Sequence, residues 1–266
     1  MNPEVEHDNP TSLALKSILI TGAGSGLGAA AAECAAARGA LVTVADIADE
    51  AGRAVVSRIV DRGGQAQFVH VDIADEESVA TMVDAARSTY GRLDGAFNNA
   101  AIPPYSSADH GMFAAADLPV EAFCRSLATN VVGTFLCMKY EIPVLLSNGG
   151  GSIVNTSSAN GLVAIPNAID YVTTKHAILG LTRAAATDYA QAGIRVNAVL
   201  PGVIDTPMLH GSAGSREASQ GYAQANPMGR LAQPSEIAEA ALWLLSDAAS
   251  FATGTCLSVD GGQTIL

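Results

Sequence analysis

The run Thr21-Gly22-Ala23-Gly24-Ser25-Gly26-Leu27-Gly28 constrains the fold more than any other stretch of the chain. It comes after a short apolar run, Ser17–Thr21 (SILIT), and opens an alanine-rich stretch, Leu27–Arg38, with Gly39 in the closing C-cap position. Glycines at 22, 24, 26 and 28 allow a sharp strand-to-helix turn, let the backbone approach a phosphate, and bring helix close to strand. A tight turn with no ligand is the bland reading of the same residues. Either way the chain starts with a βα unit, and the downstream residues must extend a parallel sheet.

The rest of the sequence does extend it. Strand-like runs recur at Leu41–Asp46 (LVTVAD), Gln67–Val71, Gly95–Asn98, Gly151–Asn155 (GSIVN), Ile194–Leu200 and Thr255–Val259. Helical patterns lie between them at Ala48–Arg62, Glu76–Tyr90, Tyr171–Tyr189 and Pro234–Leu245, and Glu121–Leu146 reads as two helices or one bent pair. Continuous apolar strands alternating with helices predict an α/β fold, a single-domain Rossmann-type doubly wound parallel sheet with helices on both faces. Residues 1–16 read as a flexible N-terminal extension, and residues 17–266 as one domain. Within it, 203–230 is rich in Gly, Ser, Pro and Met and reads as a mobile substrate lid.

Composition removes several function classes. The net charge of −12, from 14 basic and 26 acidic residues, argues against nucleic acid and anionic membrane surfaces as partners. An acidic chain still binds a dinucleotide where backbone N–H groups and a helix N-terminus carry the phosphates, and the glycine turn holds no Lys or Arg. Only 15% of residues are charged, which hints at surface covered by other subunits. Cys34, Cys124, Cys137 and Cys256 are far apart with no C-x-x-C, and they read as reduced thiols of a cytoplasmic protein. Met1–Lys16 carries Glu4, Glu6 and Asp8 and no apolar core, so it does not read as a signal peptide. No apolar run reaches membrane-spanning length.

Two further features point to chemistry. Asp46 ends the second strand, eighteen residues beyond Gly28, where a carboxylate can accept hydrogen bonds from an adenosine ribose and repel a 2′-phosphate. Its neighbours Ala45 and Ile47 are not basic, so NAD is favoured over NADP; a helix N-cap role is compatible with both. Downstream, Tyr171 and Lys175 lie four apart in the run Asp170-Tyr171-Val172-Thr173-Thr174-Lys175, on one face of a helix. A lysine ammonium so placed favours tyrosinate and is expected to lower a phenol pKa that is normally about 10. A packed aromatic and a solvated lysine are the bland alternatives for each residue alone.

In order and spacing these pieces resemble the short-chain dehydrogenase/reductase family, from about Lys16 to Leu266. The markers are TGAGSGLG at 21–28, Asp72 after the third strand, NNAA at 98–101, Asn130, GSIVNTSS at 151–158, YVTTK at 171–175 and PGVIDT at 201–206. The resemblance implies Tyr171 as general acid/base, Lys175 holding the nicotinamide ribose, Ser158 rather than Ser157 on the substrate oxygen, and Asn130 anchoring a water. It implies cofactor contacts from Gly22, Ser25, Gly26, Leu27, Gly28, Asp46, Ile47, Asp72, Ile73, Asn99, Ala100, Pro201, Ile204 and Thr206, besides Tyr171 and Lys175. It also implies a homotetramer built on helices near 121–146 and 171–189 and the last strand. One departure stands out. The usual NNAG reads NNAA, and Ala101 tolerates a positive φ poorly.

The segments expected to face the substrate are Asn160–Ile169, Pro207–Gly214 and Ile102–Leu118, the last with Tyr105, His110, Met112 and Phe113. They are mostly apolar and hold no Arg or Lys; the first basic residue of the lid, Arg216, lies farther along. This predicts an uncharged, largely hydrophobic secondary alcohol or its ketone, cyclic alcohols included. His110 and His210 read as ordinary loop histidines, and no catalytic metal is expected. Two other classes stay open: an epimerase or dehydratase on the same scaffold, and a non-catalytic NAD(H)-sensing regulator.

Overall fold

The computed structural model describes residues 9–107 and 111–265. Seven strands form one parallel sheet: β1 (Ser17–Thr21), β2 (Leu41–Asp46), β3 (Gln65–His70), β4 (Gly95–Asn98), β5 (Gly151–Thr156), β6 (Ile194–Pro201) and β7 (Cys256–Val259). Their spatial order is β3-β2-β1-β4-β5-β6-β7. The chain therefore winds outwards from β1 in one direction, returns, and winds outwards in the other. The reversal falls between β1 and β4, where parallel sheets open a crevice at the carboxyl ends of their strands. The expected doubly wound architecture is the one observed.

Burial explains why the strands read as continuous apolar runs. All five residues of β1 are buried, because helices cover both faces of the sheet. On one face pack α1 (Gly26–Ala37) and α9 (Pro234–Leu245), with α2 (Asp49–Asp61) beside α1. On the other pack α3 (Glu76–Tyr90), α5 (Gly133–Ser147) and α6 (Ile169–Tyr189). Alanine does the filling where helices approach closely: Ala31, Ala32 and Ala35 of α1 share a core with Ala238 and Ala241 of α9.

Three stretches differ from the expectation. Residues 121–146, read as two helices or a bent pair, form one run: α4 (Val120–Ser126), a π-helical turn (Leu127–Val132) and α5. Residues 203–230, read as irregular, contain α7 (Pro207–Ala213) and α8 (Arg216–Ser219), each started by a side-chain cap that short polar segments readily form. Thr206 caps α7 and Ser215 caps α8. The extension read as flexible over 1–16 is docked over 9–16, and residues 1–8 lie outside the described residues. Leu13 is fully buried against the core, and the Leu15 N–H donates to the Gly39 carbonyl at 2.9 Å. A lone apolar side chain makes no periodic pattern, so nothing in the sequence marks Leu13 as core.

A buried acid also sits beneath the sheet. Glu141 of α5 is fully buried and accepts one hydrogen bond from the Asn98 amide at 3.0 Å, while Asn98 also donates to Asn155 at 3.1 Å. Burial pushes the Glu141 carboxyl up to about 8, the Asn98 bond opposing it.

Both buried groups are open to measurement. Leu13→Ala should lower stability by about 2–5 kcal/mol in chemical denaturation, as a buried leucine does and a loose extension does not. The Glu141 carboxyl binds a proton in the folded chain but not in the unfolded one between its ordinary value and about 8. Its contribution to stability should thus be lost as pH rises through about 8. Glu141→Gln, which keeps the shape and the hydrogen bond, should flatten that pH dependence in thermal melts.

Candidate active site

The crevice at the β1/β4 reversal is a cleft of about 830 Å³. Its walls include Gly22, Ser25, Gly26 and Leu27 of the glycine turn, Asp46, Ile47, Asp72 and Ile73 at the ends of β2 and β3, and Asn99 and Ala100 after β4. Ser158, Tyr171, Lys175, Pro201, Ile204 and Thr206 complete it. Almost every residue singled out in the sequence therefore converges on one site. Gly28 and Asn130 are absent from the wall and act from behind it.

The glycine turn is held by sterics and by Asn99. Gly22 has φ +63°, and a Cβ there would stand 2.8 Å from the Ala100 Cα. A Cβ on Gly28 would come within 2.1 Å of the Gly22 carbonyl oxygen, so Gly28 is a packing residue that lets α1 rest on the turn. The Asn99 side-chain amide donates to the carbonyls of Thr21 and Gly22 at 3.2 and 3.3 Å. At the start of α1 the Ser25 side chain makes no capping bond and the first turn carries no acidic residue. The free N–H groups of that turn face a cleft wall and suit an anionic phosphate bridge. Asp46 is fixed beside them: its carboxylate accepts the Gly24 N–H at 2.7 Å and the Ala48 N–H at 2.9 Å. Ala101 is not among the non-glycine residues with positive φ, so alanine fits there without strain.

The chemical end is built by β5 and α6. The two serines divide their work. Ser157 donates its hydroxyl to the Lys175 carbonyl at 2.7 Å and ties β5 to α6. Ser158 hydrogen-bonds the Tyr171 phenol and accepts the Asn160 N–H at 3.1 Å. Lys175 is buried, donates to the Thr156 carbonyl at 2.9 Å, and lies 5.4 Å from the centroid of the Tyr171 ring. Burial brings the Lys175 ammonium down to about 8. The expected lowering of the tyrosine is not what the geometry gives. Burial raises the Tyr171 phenol above its ordinary value and outweighs the Ser158 hydrogen bond that opposes it. Desolvation penalises the anion more than its near neighbours favour it.

Asn130 sits in the π-helical turn, fully buried. Its carboxamide accepts the Ile102 N–H at 2.8 Å and donates to the Ile102 carbonyl at 3.1 Å and to Thr174 Oγ1 at 3.3 Å. It thus braces the segment after β4 against α6.

Two residues join the site without a signal in the sequence. Asp170, next to Tyr171, is buried and accepts the Tyr105 N–H at 3.0 Å and the Ser126 hydroxyl at 2.8 Å, which pins the 102–118 segment and α4 beside the tyrosine. Arg125 of α4 lies on the cleft wall over the Tyr105 ring, at 5.8 Å, although the segments expected to face the substrate contain no Arg or Lys. Asn160 and Ile165, from a segment expected to face the substrate, line the cleft. Helical phase could have placed Arg125 near Thr129; its neighbours could not be foreseen. Within residues 203–230, His210 is paired rather than idle: its Nε2 lies 2.6 Å from the Asp205 carboxylate, which also accepts from Arg216 at 2.9 Å. Those contacts, His210 foremost, hold the Asp205 carboxyl below its ordinary value. His110 lies outside the described residues. Among the described residues no three of His, Cys, Asp or Glu converge as metal ligands would.

Residues 22–264 match the family described as enoyl-(acyl carrier protein) reductase, and relatives align over nearly the whole chain. The chain belongs to the short-chain dehydrogenase/reductase family. A 2,5-dichloro-2,5-cyclohexadiene-1,4-diol dehydrogenase of Sphingobium indicum is 49% identical over 258 residues, covering 96% of this chain and all of that one. A cyclohexanol dehydrogenase of Acinetobacter sp. is 43% identical over 249 residues, covering 94% and 95%. The crystal structure of levodione reductase superposes with a TM-score of 0.90 at 34% identity, over 95% of this chain and 99% of that one. This short-chain dehydrogenase/reductase is an oxidoreductase that interconverts alcohols and ketones. Among its described residues no helix is long and apolar enough to cross a membrane.

The division between the serines is testable. Ser158→Ala should cut kcat by about 10²–10³-fold with an unchanged melting curve, as loss of one oxygen-binding donor does. Ser157→Ala should instead lower stability by about 0.5–1.5 kcal/mol, because the buried hydrogen bond that ties β5 to α6 is lost.

Proposed function

We propose that the protein is an NAD-dependent dehydrogenase that interconverts a largely hydrophobic cyclic secondary alcohol and its ketone. The observation that carries this is the meeting of Ser158, Tyr171 and Lys175 on one wall of the cleft that also holds the open N-terminus of α1. The bound nicotinamide supplies the hydride acceptor or donor. The chain handles the proton and the position. Tyr171 takes the hydroxyl proton as carbinol becomes carbonyl and returns it in reduction. Ser158, hydrogen-bonded to the same phenol, holds the substrate oxygen beside it. Lys175 would supply the cation that offsets charge developing on the phenolate and would hold the nicotinamide ribose, while Asn130 steadies the wall and would anchor a water towards Lys175.

NAD rather than NADP is supported by Asp46, whose carboxylate is locked onto the turn by two backbone N–H groups and would face the ribose hydroxyls. Ile47, Asp72, Ile73, Asn99 and Ala100 would flank the adenosine half, and Pro201, Ile204 and Thr206 the nicotinamide. The cyclic substrate is supported by the relatives, whose names specify cyclohexanol and a cyclohexadienediol, and by the apolar Ile102, Pro103, Met112, Ile165, Met208 and Leu209 on the cleft wall. Residues 203–230 would act as the lid over it. A homotetramer is supported by exposed Val120, Val132, Phe135 and Leu146 along the α4–α5 run. Four free thiols suit a reducing cytoplasm.

The deciding assay follows reduced nicotinamide with cyclohexanol and other secondary alcohols. NAD should be reduced, NADP far more slowly, and Tyr171→Phe should abolish the signal; turnover without net redox change would sink the dehydrogenase reading in favour of an epimerase. Oxidation should accelerate with pH as Tyr171 deprotonates. Lys175→Met should lower kcat/KM at neutral pH, where the lysine still carries its charge, and the difference should shrink as pH rises through about 8.

A further inference from the structure

Among the described residues four charged side chains line the cleft: Asp46 and Asp72 at the ends of β2 and β3, Lys175 beside Tyr171, and Arg125 of α4. Arg125 alone has no part in the cofactor contacts or the proton chemistry. It is exposed and forms no ion pair with any described residue. Nor does it neutralise a helix end, because α4 runs straight on through the π-helical turn into α5. Its placement is nevertheless fixed. Ala128 and Thr129, three and four residues on, line the cleft too, so this is the face that the helix turns inward. The guanidinium lies 5.8 Å from the centroid of the Tyr105 ring, and Phe113 stacks on Tyr105 at 5.6 Å. Asp170 holds both supports with a single oxygen: Oδ2 accepts the Tyr105 N–H at 3.0 Å and the hydroxyl of Ser126, the residue after Arg125, at 2.8 Å. Asp170 is buried and directly precedes Tyr171, so the cation and the phenol stand on segments joined through one carboxylate.

We propose that Arg125 is a specificity-determining residue that pairs with a carboxylate on the substrate. The preferred class is then a hydroxy acid, carbinol at Tyr171 and carboxylate at Arg125, joined by an apolar skeleton, or the matching keto acid. This deepens the reading of the cleft as a cyclic alcohol dehydrogenase and rests on it. The apolar segments alone suggest an uncharged substrate, but Arg125 comes from α4, outside them, and puts a cation on the same wall. A guanidinium presents paired N–H donors that match the two oxygens of a carboxylate in plane. Packing its face over an aromatic ring leaves that donor edge free. A neutral ester keeps the skeleton and loses the charge. An apolar site without a cation favours the ester over the acid, because an unpaired carboxylate is costly to bury, so a preference for the acid reports the cation.

The test compares kcat/KM for 3-hydroxycyclohexanecarboxylate and 3-hydroxycyclohexylacetate, which place the carboxylate at two reaches, with the methyl ester of each and with cyclohexanol. It uses the wild type, Arg125→Gln and Arg125→Glu. The wild type should favour at least one acid over its ester by about ten- to a hundredfold, the range of a hydrogen bond to a charged group. That ratio should fall to about one or less in Arg125→Gln and lower still in Arg125→Glu, through KM more than kcat. A wild type that turns over the esters and cyclohexanol without preferring either acid overturns the proposal and leaves the dehydrogenase intact. So does an Arg125→Gln variant in which acid and ester fall by the same factor, since Arg125 would then only support the Tyr105 stack. Inactivity of the wild type on every alcohol would strike the underlying function instead. Should a variant misfold, the acid-to-ester ratio of the wild type still decides.

Discussion

Everything at the functional end depends on how closely α1 can approach the end of β1. The Cβ that Gly28 lacks would lie 2.1 Å from the Gly22 carbonyl, and the one Gly22 lacks would lie 2.8 Å from the Ala100 Cα. Those contacts place three segments, the turn, the helix start and the residues after β4, within one atomic layer of each other. Only glycine permits this, and Asn99 locks it by donating to two turn carbonyls. The uncapped N–H groups of α1 and the carboxylate of Asp46 inherit their positions from that approach.

A second constraint ties the sheet to α6, which carries Tyr171 and Lys175. Ser157 to the Lys175 carbonyl and Lys175 to the Thr156 carbonyl form a pair of crossed bonds between β5 and α6. The price is a buried ammonium, held down at about 8 by desolvation, next to a phenol that burial moves the other way. Each group is thereby biased towards its neutral form. That leaves both groups where small changes in local charge decide protonation.

The walls away from the glycine turn are held by buried polar side chains. Asp170 joins Tyr105 and Ser126, and Asn130 joins Ile102 and Thr174. The segment 102–118 is thus anchored at both a carboxylate and an amide close to Tyr171. Its apolar side chains can change while its entry point stays fixed, which is how one scaffold accommodates different rings. The segment 203–230 has its own anchor in Asp205, held by His210 and Arg216.

How much of this was legible in the chain depends on the range of the interactions. The sheet, the glycine turn and the run from Tyr171 to Lys175 were readable because strand burial, turn sterics and helical spacing act between near neighbours in sequence. Leu13 in the core, Glu141 beneath the sheet, Arg125 on the cleft wall and the bond from Ser157 to the Lys175 carbonyl were not, since each depends on partners far along the chain. The sense of the tyrosine shift belongs with them: spacing alone places a cation beside the phenol, but only packing sets the desolvation that outweighs it. By itself the sequence determined the fold, the reaction class and the residues that meet. The tertiary structure decided which faces they turn to one another, because burial and long-range hydrogen bonds have no local signature.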